Sequence, residues 1–387
     1  MIIKNLKVKF FLYNNLFPIL SKINRLFSHK DSQILLYCNL SFRDNNRAVY
    51  EYLIDNGYNK KYRIIVSSSD YKKYLVDSPH NVEFVGPIKA ILSFFRSKYV
   101  FYCIGKIPIE PAKDQTIIHM EHGMPFKDAS EGQSKYSTKS QHYTYVMATG
   151  KCFIKPQARI YGVPESKIVI AGNPKCDPLY LPNPQYDFGE YKKIILWAPT
   201  FRKSVSMNMQ DTTEEQPILP IVDIKDFQRL NSYLKELGVK IVVKLHPEQD
   251  LSKYDVVDMD HFILLSHQEF LRRGMDLYRF MKQCDAMITD YSSIFYDFLL
   301  LDRPIGFTED DIDDYAGKRG FAMDPDKYRP GMRIRKYDDV CRFVKNLADD
   351  VDPYKEDRKE INALVNEDME GNFSEKILKI MGIKCKI

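Results

Sequence analysis

The chain alternates short apolar runs with stretches of helical spacing, and this pattern predicts parallel sheets with crossover helices. The stretch 41–57 has the apolar spacing of a helix, and Gly57 is a natural residue for its end. The first series of predicted buried strands consists of QILLYCNL (33–40), YRIIVSSS (62–69), NVEFVG (81–86), KYVFYC (98–103) and QTIIHM (115–120).

A second series of apolar runs follows a proline-rich stretch, 173–185, which we interpret as a linker. The predicted fold class is therefore α/β, with two Rossmann-like domains, 31–185 and 186–387, that face each other across a cleft. The predicted strands of the second domain are KKIILWAP (192–199), VKIVVKLHP (239–247), HFILLS (261–266), DAMITD (285–290) and RPIGFT (303–308).

Residues 1–30 have a different pattern, with an apolar position every three or four residues and no acidic residue. We expect Pro18 to break this segment into two short amphipathic helices. The segment also holds five lysines and one arginine, a composition that favours binding to an anionic membrane surface over packing on its own domain. The apolar positions are Ile3, Leu6, Phe10, Tyr13, Phe17, Leu20, Ile23 and Phe27.

Charge and composition narrow the function classes. Without those six cations, the 57 lysines and arginines fall to 51 against 52 aspartates and glutamates, which argues against a nucleic-acid groove. The seven cysteines form no CxxC pair, so we expect neither a zinc site nor disulfides. No apolar run spans a bilayer and no secretory cleavage site is evident, so we expect a cytoplasmic protein, peripheral on the inner face of the membrane.

Polar residues that directly follow predicted strands are the candidates for a ligand site. His122 lies in a turn after the strand 115–120 and titrates near neutrality, although a histidine in a turn is often structural. Arg202 follows the strand 192–199 and has the forked geometry that phosphate requires, unless it is a solvated loop residue. Lys244 and His246 share one side of the strand 239–247, where a buried lysine would need an anionic partner.

The segment MITDYSSIFYDFLL (287–300) is the most informative of these sites. A strand ends at Asp290, and Ser292 or Ser293 is a natural N-cap for a helix whose residues Ile294, Phe295, Phe298 and Leu299 face the core. Free backbone N–H groups at such a helix start favour phosphate, although ordinary capping explains the serines equally. The acidic run 309–314 predicts a solvated loop rather than a metal site.

Five motifs follow one another along the chain: EHGMPFK (121–127), FIKPQARIYGVPESKIVIAGNPKCD (153–177), ILWAPTFR (195–202), VVKLHP (242–247) and CDAMITDYSSIFYDFLLLDRPIGF (284–307). In this order they resemble the CDP-glycerol glycerophosphotransferase family of teichoic-acid and capsule biosynthesis. The likeness covers about residues 115 to 330. Two positions depart from the family pattern, because Glu121 stands where the family usually has tryptophan and Lys175 where it usually has arginine.

The resemblance implies a GT-B-like fold with an acceptor-side first domain and a nucleotide-donor-binding second domain. It implies that His122 is the catalytic base and that His246 is the second catalytic histidine, close to the donor diphosphate. Donor-binding residues implied by matching position are Arg202, Lys244, Asp290, Ser292 and Ser293, and Glu121 would orient or tune His122.

The reaction implied is transfer of glycerol phosphate from CDP-glycerol to a hydroxyl of a lipid-linked or polysaccharide acceptor, with release of CMP. No cofactor and no metal ion is required in this scheme. A donor such as CDP-ribitol or a UDP-sugar remains an alternative, as does a nucleotide-sugar epimerase. A non-enzymatic alternative is a membrane-bound scaffold that keeps the fold but has lost catalysis. The presence of both histidines, His122 and His246, and of both serines, Ser292 and Ser293, argues against it.

Overall fold

The structure is a computed structural model, and it describes residues 8, 11–26, 31–127, 142–182, 185–200, 203–204, 209–210, 218–245, 259–318 and 320–384. The chain divides into two compact units. Unit 1 comprises Met1–Met124, Ala129–Asp177 and Val365–Ile387, and unit 2 comprises Pro125–Asp128 and Pro178–Leu364. The predicted domains, 31–185 and 186–387, differ from these units because residues 125–128 belong to unit 2 and residues 365–387 return to unit 1.

The N-terminal segment is helical through Pro18. A π-helical turn, Leu12–Leu16, leads directly into helix α1, Phe17–Leu26. The predicted break at Pro18 is absent, because the π-helical turn runs directly into α1 and the proline lies within one continuous helical segment. Among the described residues, no helix is both long and apolar enough to cross a bilayer.

Unit 1 is built on a seven-stranded parallel sheet with the order β3-β2-β1-β4-β5-β6-β7. Its strands are almost entirely buried, because helices cover both faces of a parallel sheet. The strands are β1 (Asp31–Tyr37), β2 (Arg63–Ser67), β3 (Val82–Val85), β4 (Ser97–Tyr102), β5 (Thr116–His119), β6 (Tyr145–Ala148) and β7 (Ile168–Ile170).

The helices of unit 1 connect these parallel strands as crossovers. Helix α2 (Asp44–Asp55) follows β1 and ends just before Gly57, as its sequence predicts, and Gly57 adopts the left-handed conformation. The remaining described α-helices of the unit are α3 (Pro87–Phe94), α4 (Ile154–Tyr161) and, from the C-terminal segment, α13 (Phe373–Ile380).

Unit 2 contains a six-stranded parallel sheet with the order β12-β11-β8-β13-β14-β15. Its strands are β8 (Lys193–Ala198), β11 (Val239–Lys244), β12 (Phe262–Leu265), β13 (Ala286–Thr289), β14 (Ile305–Thr308) and β15 (Met332–Ile334), and β9 (Lys203–Ser204) pairs with β10 (Met209–Gln210) in a separate antiparallel ribbon.

Helices pack on this sheet around one core cluster that includes Trp197, Phe227, Phe262 and Phe343. A fully buried tryptophan on the central strand β8 fixes the packing of both neighbouring strands. The α-helices are α5 (Phe227–Leu237), α6 (His267–Arg272), α7 (Leu277–Gln283), α8 (Ile294–Phe298), α9 (Ile312–Lys318), α10 (Pro325–Tyr328), α11 (Tyr337–Ala348) and α12 (Lys355–Val365).

The short segment 125–128 is held in unit 2 by its own contacts. The Phe126 carbonyl accepts a hydrogen bond from the Ala322 N–H at 2.9 Å. The Phe126 ring lies edge-on to Phe295 with 5.3 Å between centroids. Because Phe126 is buried by these contacts with residues of unit 2, the chain passes from unit 1 to unit 2 directly after Met124.

Candidate functional site

The candidate base His122 lies in a tightly held turn that begins where β5 ends. The Nδ1 atom of His119, the last residue of β5, accepts a hydrogen bond from the Glu121 N–H at 3.2 Å. The Asn45 side-chain amide donates to the carbonyls of Met120 and Glu121, at 3.1 and 2.8 Å. Glu121 has a φ of +60°, a left-handed conformation that side chains rarely adopt, so these bonds offset local strain.

Glu121 and His122 form a carboxylate–imidazole pair. Glu121 Oε2 lies 3.1 Å from His122 Nδ1 and accepts the His122 backbone N–H at 3.1 Å. The Glu121 side chain is 13% exposed, whereas the His122 side chain is 62% exposed. The carboxylate therefore fixes one ring nitrogen, and the other side of the imidazole is open to a ligand.

The interaction between Glu121 and His122 shifts the pKa of each group so that its charged form is favoured. Desolvation opposes ionisation of each group, but the hydrogen bond and the mutual attraction outweigh it. They lower the pKa of Glu121 and raise the pKa of His122, and the nearby Asp44 carboxylate adds to the second effect. His122 is thus a stronger proton acceptor than an isolated imidazole.

Two further side chains fix this turn from unit 1. Burial lowers the pKa of His119 to about 4, so this ring stays neutral at pH 7 and its Nδ1 remains an acceptor. Lys175, 6% exposed, donates its Nζ–H to the His122 carbonyl and its backbone N–H to Asn45 Oδ1. The lysine at the position where the family has arginine therefore has a structural contact with the His122 turn.

In unit 2, the turn after β13 is organised by a fully buried carboxylate. Asp290 Oδ2 accepts the Thr200 N–H at 2.9 Å, and Oδ1 accepts the Ser292 N–H at 3.2 Å. These bonds hold the loop after β8 beside the turn after β13. The Thr200 hydroxyl oxygen is buried and has no hydrogen-bond partner among the described residues. Asp290 is therefore a residue that positions its neighbours through their backbone.

The serines lie at the start of α8, as predicted, but their capping role is weak. Ser293 occupies the N-cap position without a side-chain capping bond, and the Ser292 hydroxyl accepts the Ile294 N–H only at 3.5 Å. The α8 helix has five residues, so its dipole is small. Three of the four residues predicted to face the core are buried, and Ile294 is half-buried; the buried residues are Phe295, Phe298 and Leu299.

The remaining candidates are less completely described. Lys244 is the last residue of β11, is half-buried, and has its Nζ 5.4 Å from the centroid of the Phe270 ring. Arg202 and His246 lie outside the described residues.

The acidic run 309–314 is only in part the solvated loop that the sequence predicts. Asp310 and Asp313 are exposed, but α9 begins at Ile312. Glu309 is buried and forms ion pairs with Arg329 at 2.7 Å and Arg335 at 2.8 Å. The prediction was wrong for Glu309 because the distant arginines that neutralise it are not visible in local sequence. In the described part of the chain, no group of three or more His, Cys, Asp or Glu side chains is placed to hold a metal ion.

Sequence reasoning missed the residues that support His122. His119, Asn45 and Lys175 come from β5, the start of α2 and the segment after β7, so only the folded chain brings them together. The adjacent asparagines at 45 and 46 were an available signal, because buried polar residues at a helix start after a strand require hydrogen-bond partners.

Two parallel α/β units with polar turns at the carboxyl ends of their strands define a GT-B-like protein. A family model described as CDP-Glycerol:Poly(glycerophosphate) glycerophosphotransferase matches residues 19–381, and the chain belongs to this family. The predicted family is thereby confirmed, as is the predicted α/β fold class of two parallel-sheet domains.

Individual relatives are distant. The chain is 25% identical over 395 residues to a teichoic acid poly(ribitol-phosphate) polymerase of Bacillus spizizenii, covering 94% of this chain and 56% of the relative. It is also 25% identical over 374 residues to a teichoic acid poly(glycerol phosphate) polymerase of that organism, covering 88% of this chain and 89% of the relative. The chain thus spans about half the length of the first of these two relatives.

A solved structure shares the fold. The wall teichoic acid polymerase TagF matches with a TM-score of 0.71 and 20% sequence identity, covering 99% of this chain and 98% of that chain. At this identity the likeness concerns the fold alone.

Proposed function

We propose that this protein transfers glycerol phosphate from CDP-glycerol to a hydroxyl group of a membrane-linked or glycan acceptor and releases CMP. The product would be a teichoic-acid-like or capsule polymer. Membership in the glycerophosphotransferase family supports this reaction type. The observation that carries the proposal is the exposed imidazole of His122, held at one nitrogen by Glu121.

The proposed chemistry begins at His122. Its Nδ1–H is directed to Glu121, so Nε2 is the nitrogen that accepts the proton of the acceptor hydroxyl. The hydroxyl oxygen then attacks the phosphorus that bears glycerol, the bond from this phosphorus to the CMP oxygen breaks, and CMP leaves. Glu121 stabilises the imidazolium that forms, because a carboxylate near a developing positive charge lowers its free energy.

We assign donor binding to unit 2. The Asp290 turn presents Ser292 and Ser293 at the start of α8, and both side chains are partly accessible. Arg202, Lys244 and His246 would add positive charge or hydrogen bonds to the diphosphate. His246→Ala should weaken donor binding and slow turnover together, and unchanged kinetics would contradict its role.

CDP-ribitol is the alternative donor, because relatives named as ribitol-phosphate polymerases match this chain as well as those named for glycerol phosphate. The test incubates the purified protein with an acceptor and CDP-glycerol, CDP-ribitol or a UDP-sugar, and measures release of CMP or UDP. We expect CMP from CDP-glycerol at the highest kcat/KM. UDP release alone would refute the proposal in favour of a glycosyltransferase.

We further propose that α1 binds an anionic membrane surface. Its exposed side carries Ile19, Ile23 and Leu26, whereas Ser21 and Asn24 are buried. Asn24 bonds to Gln115 Oε1 at 2.7 Å, and Gln115 bonds to the carbonyl of Phe94 at the end of α3. Helix α3 exposes two more apolar side chains, Ile88 and Leu92. The exposed apolar side of α1, with Lys22 and Arg25 on the same helix, suits an anionic bilayer.

The membrane proposal is tested by sedimentation with phosphatidylglycerol vesicles. Ile19→Asp together with Ile23→Asp should lower the bound fraction several-fold, since each carboxylate opposes insertion into the interface. The matched control is Leu271→Asp, which alters an exposed leucine of unit 2 and should leave binding unchanged. Equal sedimentation of all three proteins would overturn the proposal.

A further inference from the structure

Unit 1 contains a half-open pocket that the proposed chemistry does not use. It has a volume of about 90 Å³, room for a phosphate-sized or polyol-sized group. One side is formed by the N-terminal helical segment with Tyr13 and Phe17, and the other by the loop after β4 and the start of β6. We call this cavity the α1 pocket, and the residues that matter below are Tyr13, Phe17, Lys106, Glu110, His142 and Tyr143.

The helix over the α1 pocket is held by directed polar bonds as well as by the buried ring of Phe17. Ser21 accepts the Glu110 N–H at 2.9 Å, and Asn24 donates to the Glu110 carbonyl at 2.8 Å. Arg25 lies 2.9 Å from the Glu110 carboxylate. Hydrogen bonds to charged or buried groups have defined directions, so these contacts fix the helix in one orientation over the cavity.

The charges around the pocket favour an anion. Lys106, Arg25 and Lys167 all lie close enough to His142 to disfavour its protonation, and Glu110 is the opposing carboxylate. Together with desolvation, the larger effect, they lower the pKa of His142, so its ring is neutral and able to donate one hydrogen bond. The Glu110 carboxylate is already shared between Arg25 and His142, whose Nε2 is 3.4 Å away.

The aromatic wall joins the pocket to the His122 turn. The Tyr143 ring lies 5.4 Å from the His119 ring, centroid to centroid. His119 in turn accepts the Glu121 N–H, and Glu121 holds His122. Two residue contacts therefore separate the pocket wall from the Glu121–His122 pair. The pocket and the candidate base therefore lie in the same unit and are linked through the buried ring of His119.

From this arrangement we infer that the α1 pocket is an acceptor subsite that binds a phosphorylated polyol unit. Lys106 and His142 contact the phosphate oxygens, Glu110 accepts hydrogen bonds from polyol hydroxyls, and the rings of Phe17 and Tyr143 pack against the carbon chain. The inference rests on the proposed function, because it assigns the pocket to the acceptor of that reaction.

The direct test measures binding without turnover. A soluble trimer of glycerol phosphate joined by phosphodiester bonds is titrated by calorimetry into the full chain, with no donor present. We expect saturable binding that Lys106→Gln weakens about tenfold, since a hydrogen bond to a charged group is lost. His142→Gln should weaken it in the same direction, and it serves as the second variant should Lys106→Gln not fold.

The matched control is Lys113→Gln, which removes the same charge from an exposed position of unit 1 outside the pocket. Its affinity should equal that of the unaltered protein, and free glycerol should not bind measurably. Equal affinities of the three proteins for the trimer, or no saturable binding by the unaltered chain, would overturn the inference.

Kinetics separate this inference from the proposed function. With an active donor, Lys106→Gln should raise the acceptor KM about tenfold and leave the donor KM and kcat unchanged. If no CDP-polyol releases CMP, the proposed function fails, and the trimer titration still decides whether the pocket binds a polyol phosphate. A raised donor KM with an unchanged acceptor KM would count against the subsite.

Discussion

The turn after β5 in unit 1 and the turn after β13 in unit 2 hold their candidate residues in different ways. In unit 1, the candidate side chain itself is tuned, because Glu121 bonds to the imidazole of His122 and raises its pKa. In unit 2, the buried carboxylate of Asp290 instead accepts hydrogen bonds from the backbone N–H groups of Thr200 and Ser292.

The turn after β5 therefore affects the proton chemistry of one side chain, whereas the turn after β13 affects the position of the backbone. A change at the turn after β5 alters the protonation and orientation of one exposed ring, and the fold around it is supported independently by Asn45 and Lys175. A change at Asp290 removes the acceptor for two backbone groups, so it alters the fold before it alters any ligand contact. The predictions below test this contrast, beginning with the largest effect.

His122→Ala should lower kcat by about a hundredfold or more, because general-base catalysis is lost. Donor binding should survive, since the residue belongs to the turn after β5 and not to unit 2. The measurement combines CMP release with equilibrium titration of CDP-glycerol. Near-normal turnover would refute the base assignment. The control is His80→Ala, which removes an exposed imidazole before β3 and should leave both quantities unchanged.

Asp290→Ala should lower the free energy of unfolding by about 2–4 kcal/mol, because two backbone N–H groups lose their acceptor. Chemical denaturation with urea measures this loss. Asp285 is a matched control at the opposite end of β13, where, among the described residues, its carboxylate accepts one backbone N–H, that of Ile194, at 2.8 Å. Asp285→Ala should therefore cost about half as much and leave the donor KM unchanged. If the Asp290→Ala protein had the same free energy of unfolding as the unaltered protein, the positioning role of Asp290 would be contradicted.

The sequence predicts those parts of the fold that depend on local pattern. The apolar runs locate ten strands because a parallel strand covered on both faces must be apolar along its length. The pattern misses β6, β7 and β15 of the two parallel sheets and both two-residue strands of the antiparallel ribbon, β9 and β10. It also misses the return of residues 365–387 to unit 1, where Asp177 accepts the N–H groups of Phe373 and Ser374.

For the candidate site, too, local pattern predicts some residues, and contacts between distant residues determine the others. A histidine after β5 and an aspartate after β13 are visible as polar residues at the ends of apolar runs. The support of His122 by Asn45 and Lys175 is not visible, because these contacts join residues 76 and 53 positions apart along the chain. Glu309 is the clearest case, since its burial depends on arginines from two later elements.

Glu121→Gln should move the acidic limb of the pH–rate profile to lower pH. The carboxylate raises the pKa of His122, and the neutral imidazole is the active form, so activity rises with pH through that pKa. Removing the charge lowers the pKa and shifts the limb accordingly. At high pH, kcat should still fall about tenfold, because the charged hydrogen bond between Glu121 and the imidazolium of His122 is lost. The loss is no larger because the His122 side chain is exposed to solvent, which weakens that bond.

The control for this prediction is Glu51→Gln, which removes an exposed carboxylate of α2 that pairs with Arg47. Its pH profile should coincide with that of the unaltered protein. If Glu121→Gln lowers activity without moving the limb, then Glu121 orients the ring but does not tune its proton affinity, and the contrast between the two turns weakens.

Ser293→Ala should have the smallest effect on the fold and still report on donor binding. The serine makes no side-chain capping bond, so the free energy of unfolding should change by less than about 0.5 kcal/mol. Loss of one hydrogen bond to a donor phosphate should raise the donor KM about fivefold while kcat changes little. Because the fold is unaffected, a raised KM can be assigned to the ligand contact, which is not possible for Asp290→Ala. An unchanged donor KM would show that Ser293 does not contact the donor, and the turn after β13 would then have a positioning role without this contact.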